Sequence, residues 1–304
     1  MEINLEGLSI QHKQEFELFK DNDSISSIEQ FSDVDSSAIF FLIDNKAYFG
    51  FCQGKLNNDF IDAAREYKTK HQSEKIVGPL NFSTYNTYRL KENEDLPHHL
   101  MEPPYEPELY QLLKSHGEIF ESYLTYEIND FEKLLDWSKQ FDEIDDSVMK
   151  DQYTLQVIDT KYWMDNIERF YKSADQVFGE NLAYSTLSFE TFKAKYGEQA
   201  AGLICPFTSR CLISKDNQQI VGIILNFIDI TAADRKRLLI KTMGVHPDHR
   251  HMGLSFIYLL KEIIPQVRQN YDQAFLCLMR EGNLPSLFAK DISQKDRHYH
   301  LFSL

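Results

Sequence analysis

The chain has 304 residues, 42% of them hydrophobic and 13% aromatic, which is too rich in core-forming side chains for a disordered protein. Its formal net charge of −15 excludes a non-specific nucleic-acid binder, which needs a basic surface, and leaves room for a cationic or amine substrate. Four cysteines without a C-x-x-C pair, and no apolar run long enough to span a bilayer, point to a soluble, reducing, cytoplasmic protein. The opening residues Met1–Glu6 lack the basic and apolar regions of a signal peptide.

The first clear elements are two apolar runs over 38–52 that flank Asp44-Asn45-Lys46, a hairpin pattern. Phe60, Ile61, Ala64 and Tyr67 recur at helical spacing over 57–71, and Ile76–Pro79 reads as a short strand ending in a turn. Residues 80–107 carry Pro97, Pro103, Pro104 and Pro107 and predict a loop. A short helix over 106–115 and a strand over 122–128 follow. Residues 129–151 are rich in Asp and Glu and predict an exposed amphipathic helix and an acidic linker.

The second half repeats this order. It predicts a strand at 153–158, helices near 162–178 and 189–193, and a hairpin over 211–227. A strand at 238–245, a helix at 253–267, a strand at 274–279, a short helix at 285–290 and a last strand at 299–302 complete it. The expected fold class is therefore α/β with mixed sheets, in two units of similar order: 1–128 and 152–304, joined by 129–151.

The stretch Leu238–Ser255 carries the chemistry. It reads strand, tight loop, helix, with Arg250, Gly253 and Ser255 at the helix start. A helix N-terminus offers unpaired N–H groups and a partial positive charge. Gly253 admits a ligand close to the main chain, small Ser255 keeps the first turn open, and Arg250 adds a fixed charge. Such a loop can cradle a pyrophosphate. Three histidines, His246, His249 and His251, crowd it without a carboxylate or Cys partner at ligand spacing, so no metal site is expected.

The pattern Val245-x-Pro247-x-x-Arg250-x-x-Gly253-x-Ser255 resembles motif A of the GNAT (GCN5-related) N-acetyltransferases, Arg/Gln-x-x-Gly-x-Gly/Ala, with Ser255 at the position of the last small residue. Leu276–Ser286 resembles the strand and helix that follow in bacterial members, and Arg297–Phe302 their last strand. Gly78–Thr84 and Pro103–Pro107 resemble segments of a different branch. The resemblance implies two tandem GNAT-like domains. No Arg-x-x-Gly-x-Gly/Ala occurs in the first half, which implies a degenerate domain serving as scaffold or substrate wall.

It further implies acetyl-CoA (or another acyl-CoA) as co-substrate and a small amine or amino-acid-like acceptor, whose nitrogen attacks the thioester directly. By resemblance, Met243, Gly244, Val245, Arg250, His251, Met252, Gly253, Leu254, Ser255 and Asn283 hold the cofactor. The strand before motif A often carries a carboxylate base; here it offers Lys241 and Thr242, so Glu281 and Asp229 stand as substitute bases. Ser286 is the nearest hydroxyl to the usual acid. The rival reading is a non-catalytic acyl-CoA-binding or protein-interaction module.

Overall fold

The computed structural model describes residues 3–304; Met1 and Glu2, with their part in the signal-peptide expectation, lie outside. The strands are β1 (Ile25–Ser32), β2 (Ser36–Ile43), β3 (Lys46–Gly54), β4 (Ile76–Gly78), β5 (Leu90–Lys91), β6 (Glu118–Ile128), β7 (Tyr153–Val157), β8 (Arg210–Ser214), β9 (Ile220–Ile228), β10 (Arg237–Val245), β11 (Gln273–Arg280) and β12 (Lys295–Ser303). The helices are α1 (Ile10–Phe19), α2 (Asn58–Lys70), α3 (Pro107–His116), α4 (Phe131–Ser138), α5 (Ser147–Gln152), α6 (Thr160–Asp165), α7 (Ile167–Phe178), α8 (Phe189–Tyr196), α9 (Glu198–Ala201), α10 (Leu254–Asn270) and α11 (Leu284–Ile292).

The local reasons are legible. Asn57 caps α2 through its side chain, Ser188 caps α8, and Asp159 caps α6. The single helix expected near 162–178 is broken at Asn166, which ends α6 and precedes α7. The turn between β2 and β3 holds Asp44 and Asn45 at positive φ, as a tight hairpin requires. No helix among the described residues is long and apolar enough to cross a membrane.

All strands join one mixed sheet in the order β1-β2-β3-β4-β12-β6-β11-β10-β9-β8-β7, with β5 pairing β12. Apart from β7, the order reads alike from both ends: β1-β2-β3-β4-β12 matches β8-β9-β10-β11-β6. Each half contributes a parallel pair bridged by a helix, β3-α2-β4 and β10-α10-β11. The last strands are exchanged. β6 of the first half pairs with β11, and β12 of the second pairs with β4, while β6 and β12 run antiparallel at the centre. A division near residue 150 therefore divides the sequence and leaves the sheet continuous.

Apolar clusters cover both faces. Under α2 and α3 lie Phe40, Phe49, Phe60, Leu109 and Leu113. Under α4 and α10 lie Leu134, Leu238, Ile264, Val267 and Ala274. The opposite face carries one cluster across both halves, from Phe16, Phe41 and Phe82 to Trp163, Phe170, Phe227 and Leu239.

Candidate functional site

The parallel pairing of β10 with β11 runs from Arg237/Gln273 to Ile240/Leu276 and then stops. Beyond it, β10 stays on β9, with Met243 opposite Ile224 and Val245 opposite Gly222. β11 stays on β6, with Met279 opposite Leu124 and Arg280 opposite Tyr123. Bulges after Ile240 and Leu276, with Leu278 at positive φ, turn the two strands apart. A V-shaped opening results. A cavity of about 1120 Å³ occupies it and reaches both faces of the sheet. Phe256, Leu260 and Phe288 line one side, and Phe178, Tyr184 and Tyr196 the other.

The loop after β10 closes one end of this opening. His246 caps Asp248 through Nδ1 at 3.2 Å. Arg250 donates from Nε to the Val245 carbonyl at 3.1 Å and sits 3.8 Å from Glu180. His251, Met252 and Gly253 all have positive φ, at 44°, 52° and 97°, and the last is the one best suited to glycine. The Gly253 amide donates to the Arg250 carbonyl and the Leu254 amide to that of His251, so the loop is wound on its own bonds. The Tyr153 hydroxyl meets His249 Nδ1 and His251 Nε2, both at 2.7 Å, and ties the loop to β7. Ser255 is fully buried and donates to the His249 carbonyl.

Of the residues singled out from sequence, Met243, Gly244, Val245, Arg250, Gly253 and Asn283 line the cavity. Asn283 also caps α11, accepting from the Ser286 amide at 2.9 Å. His251 and Ser255 hold the loop instead, Met252 points fully into solvent, and Leu254 packs with the Val221, Leu259 and Ile263 cluster. The three catalytic candidates lie elsewhere. Glu281 is exposed and outside the cavity. Ser286 is buried, and its hydroxyl donates to the Asn283 carbonyl at 2.9 Å. Asp229 is buried in an ion pair with Arg237 at 3.0 Å and accepts from Thr231 and the Leu100 amide. Burial works against its charge, but these donors and Arg237 win and hold its carboxyl below the usual range. With its lone pairs engaged, Asp229 is a structural carboxylate.

Gly244 has a role that the motif alone did not reveal. A Cβ there would lie 2.4 Å from Val177 Cγ1 and 2.5 Å from the Phe178 ring, so glycine lets α7 press onto β10. Other lining residues belong to parts of the chain with no motif: Tyr85, Arg89 and Glu102 from the proline-rich loop, Tyr184, and Lys195 on α8. The run Tyr85-Asn86-Thr87-Tyr88-Arg89 was their faint signal, aromatic and basic inside a loop.

Several side chains that line the cavity titrate unusually. Desolvation pulls the Lys241 ammonium down to about 8; Arg89 and Lys195 act the same way, while Cys277 and Glu102 oppose. Burial pushes the Cys277 thiol up to about 12, which makes it a poor nucleophile. Glu102, buried among Lys91, Arg297, Tyr299 and His98, is lowered to about 2 by His99, Tyr299 and Arg297 against its desolvation. Burial raises the hydroxyls of Tyr184 and Tyr196, so both stay protonated.

In the first half the corresponding opening is plugged. The parallel pairing of β3 and β4 covers only Ala47/Ile76 and Tyr48/Val77. There Asn81 enters, accepting from the Phe51 amide at 2.6 Å and donating to Glu15 at 2.7 Å, and a Cβ on Gly50 would strike the Leu80 carbonyl.

No family profile and no curated protein matches the chain. Solved structures do. A conserved protein of Enterococcus faecalis described as a probable N-acyltransferase shares 10% identity at a TM-score of 0.51, over 97% of this chain and 65% of its own. A glucosamine N-acetyltransferase region of a fungal multi-domain β-N-acetylglucosaminidase gives 9% identity and 0.49, over 98% and 35%. A tandem GNAT protein from the clavulanic acid biosynthesis pathway gives 13% and 0.45, over 93% and 84%. At these identities the likeness concerns the fold.

Proposed function

We propose that this chain, whose mixed α/β fold is GNAT-like, is an acyl-CoA-dependent N-acyltransferase that serves a small amine, with acetyl-CoA as the default donor. The observation that carries the reading is the parting of β10 and β11 at the entrance to α10, with a cavity running through the gap. The pyrophosphate would lie against Arg250 and the start of α10. The pantetheine arm would lie along the open edge of Met243–Val245 and bring the thioester to the acceptor side.

The reaction needs little more than placement and a base. The neutral amine nitrogen attacks the thioester carbonyl, the C–N bond forms, and the C–S bond breaks from the tetrahedral intermediate. Holding both reactants in one cavity removes most of the entropic barrier. Main-chain N–H groups on the open edge of β10 suit the developing oxyanion. Lys241 takes the base role in this reading in place of Asp229 and Glu281: it lines the cavity, and its amine titrates close to neutrality. The ammonium so formed then supplies the proton that the departing thiolate takes up.

A second reading, an acyl-CoA-binding module without turnover, is favoured by one observation. The carboxylates lining the cavity, Glu15 and Glu102, are both fully engaged by protein donors. Calorimetric titration with acetyl-CoA and CoA, beside Arg250→Ala and Gly253→Asp, tests the binding half. Saturable binding lost in both variants supports the site. Thiol release in a broad amine screen then separates enzyme from module. No binding to the unaltered protein overturns both readings.

A further inference from the structure

The acceptor side of the cavity is cationic in a protein of net charge −15. Arg89 is 5% exposed, its Cζ lying 3.7 Å from the centre of the Tyr88 ring and 4.2 Å from that of Tyr123. One guanidinium N–H reaches the Leu278 carbonyl at 3.1 Å. The buried Nε has no hydrogen-bond partner among the described residues. Lys195 donates to Asn86 Oδ1 at 3.1 Å, and Lys241 approaches the Met101 carbonyl at 3.4 Å. Among the described residues none of these three cations has a carboxylate within ion-pair distance. The other charged groups of the lining are matched: Arg280 by Glu121, Arg250 by Glu180, and Glu102 by Lys91 and Arg297. Glu15, the carboxylate nearest Lys195 in effect, is held by Asn81, Thr87 and Gln11.

Keeping a guanidinium dry with an unpartnered N–H is costly unless something fills the gap. Two of the cations also act on the third, since Arg89 and Lys195 both oppose protonation of Lys241. A carboxylate in the cavity would offset this unmatched positive charge. We infer that the small molecule filling this cavity carries a carboxylate that Arg89 and Lys195 hold, beside apolar bulk that packs on Tyr85, Tyr184 and Tyr196. That this molecule is the acceptor amine rests on the reading above. The net charge of the chain leaves room for a cationic acceptor; the local charge of the cavity points to an amino-acid-like anion.

The test is binding of matched pairs, the proteinogenic amino acids against their carboxamides, by calorimetry with CoA saturating. The unaltered protein, Lys195→Met and Arg89→Gln are compared, with circular dichroism to check folding. We expect at least one acid to bind roughly 10- to 100-fold more tightly than its amide, the range of a charge-assisted hydrogen bond. Both substitutions should remove most of that preference. The partly exposed Lys195 carries the test if Arg89→Gln does not fold. Acids and amides binding alike, none binding, or a preference that survives both substitutions overturns the inference. An acid that binds with this preference but takes no acetyl group from acetyl-CoA sinks the acyltransferase reading and leaves the anion site standing.

Discussion

Replacing Lys241 by Gln perturbs the reaction at its proton. The folded protein holds this amine at about 8, so about a tenth of it is neutral at pH 7 and about nine tenths at pH 9. With an aromatic amine acceptor, itself neutral throughout this range, kcat/KM should rise about tenfold between pH 7 and 9 and level off above. Lys241→Gln should flatten that limb and lower the plateau by roughly 10²- to 10⁴-fold, the usual contribution of a positioned base. Thiol release from acetyl-CoA, followed at each pH, is the assay. A limb near pH 8 that persists in Lys241→Gln refutes the assignment, as does a flat profile in the unaltered protein. Stability supplies an independent check. A lysine lowered on folding binds fewer protons in the native than in the unfolded state between about pH 8 and its ordinary value of 10.5. Unfolding free energy should therefore rise with pH across that window. Lys241→Met should be more stable than the unaltered protein at pH 7, and the gain should shrink toward pH 10.5.

Gly253→Ala forces a side chain to φ near 97°, at a cost of roughly 1–2 kcal/mol, and should weaken CoA binding more than it lowers the urea midpoint. Gly244→Ala places a Cβ against Val177 and Phe178, and overpacking of this kind should cost roughly 1–3 kcal/mol in urea unfolding. Asp229→Asn breaks a buried ion pair and should cost about 3 kcal/mol of stability while the folded fraction keeps its turnover. Glu281→Ala, altered on an exposed side chain outside the cavity, should leave kcat/KM within about twofold of the original; a larger loss restores it as a base.

Period and punctuation carried the elements. The hairpin around Asp44-Asn45, α2 from its four apolar positions, and the strand–loop–helix of β10 and α10 all lie within a few residues of the expected bounds. α1 and β1 were not anticipated. α1 has little amphipathic contrast and buries only Glu15, Phe16 and Phe19, and β1 is mostly half-buried, so neither carries a clean period. The loop after β10 was visible because its residues are contiguous. The cationic part of the cavity was not, because Arg89, Lys195 and Lys241 come from a loop, a helix and a strand that only the fold brings together. For the same reason Asp229 reads as a candidate base in sequence: the carboxylate after a strand is visible there, and the arginine that pairs with it is not.

The exchange of final strands sets the timing of folding. β12 ends at Ser303, yet it lies between β4 and β6, deep in the sheet of the first half. During synthesis that half has a gap until β12 has been made. Its β4 and β6 edges stay open until then, and such edges invite wrong pairing. The contacts that close the gap, such as Phe302 with Gly78, join residues far apart in sequence, which slows closure. Without β12 the second half lacks its last strand and the first half is unsealed, so one strand closes both halves in a single event.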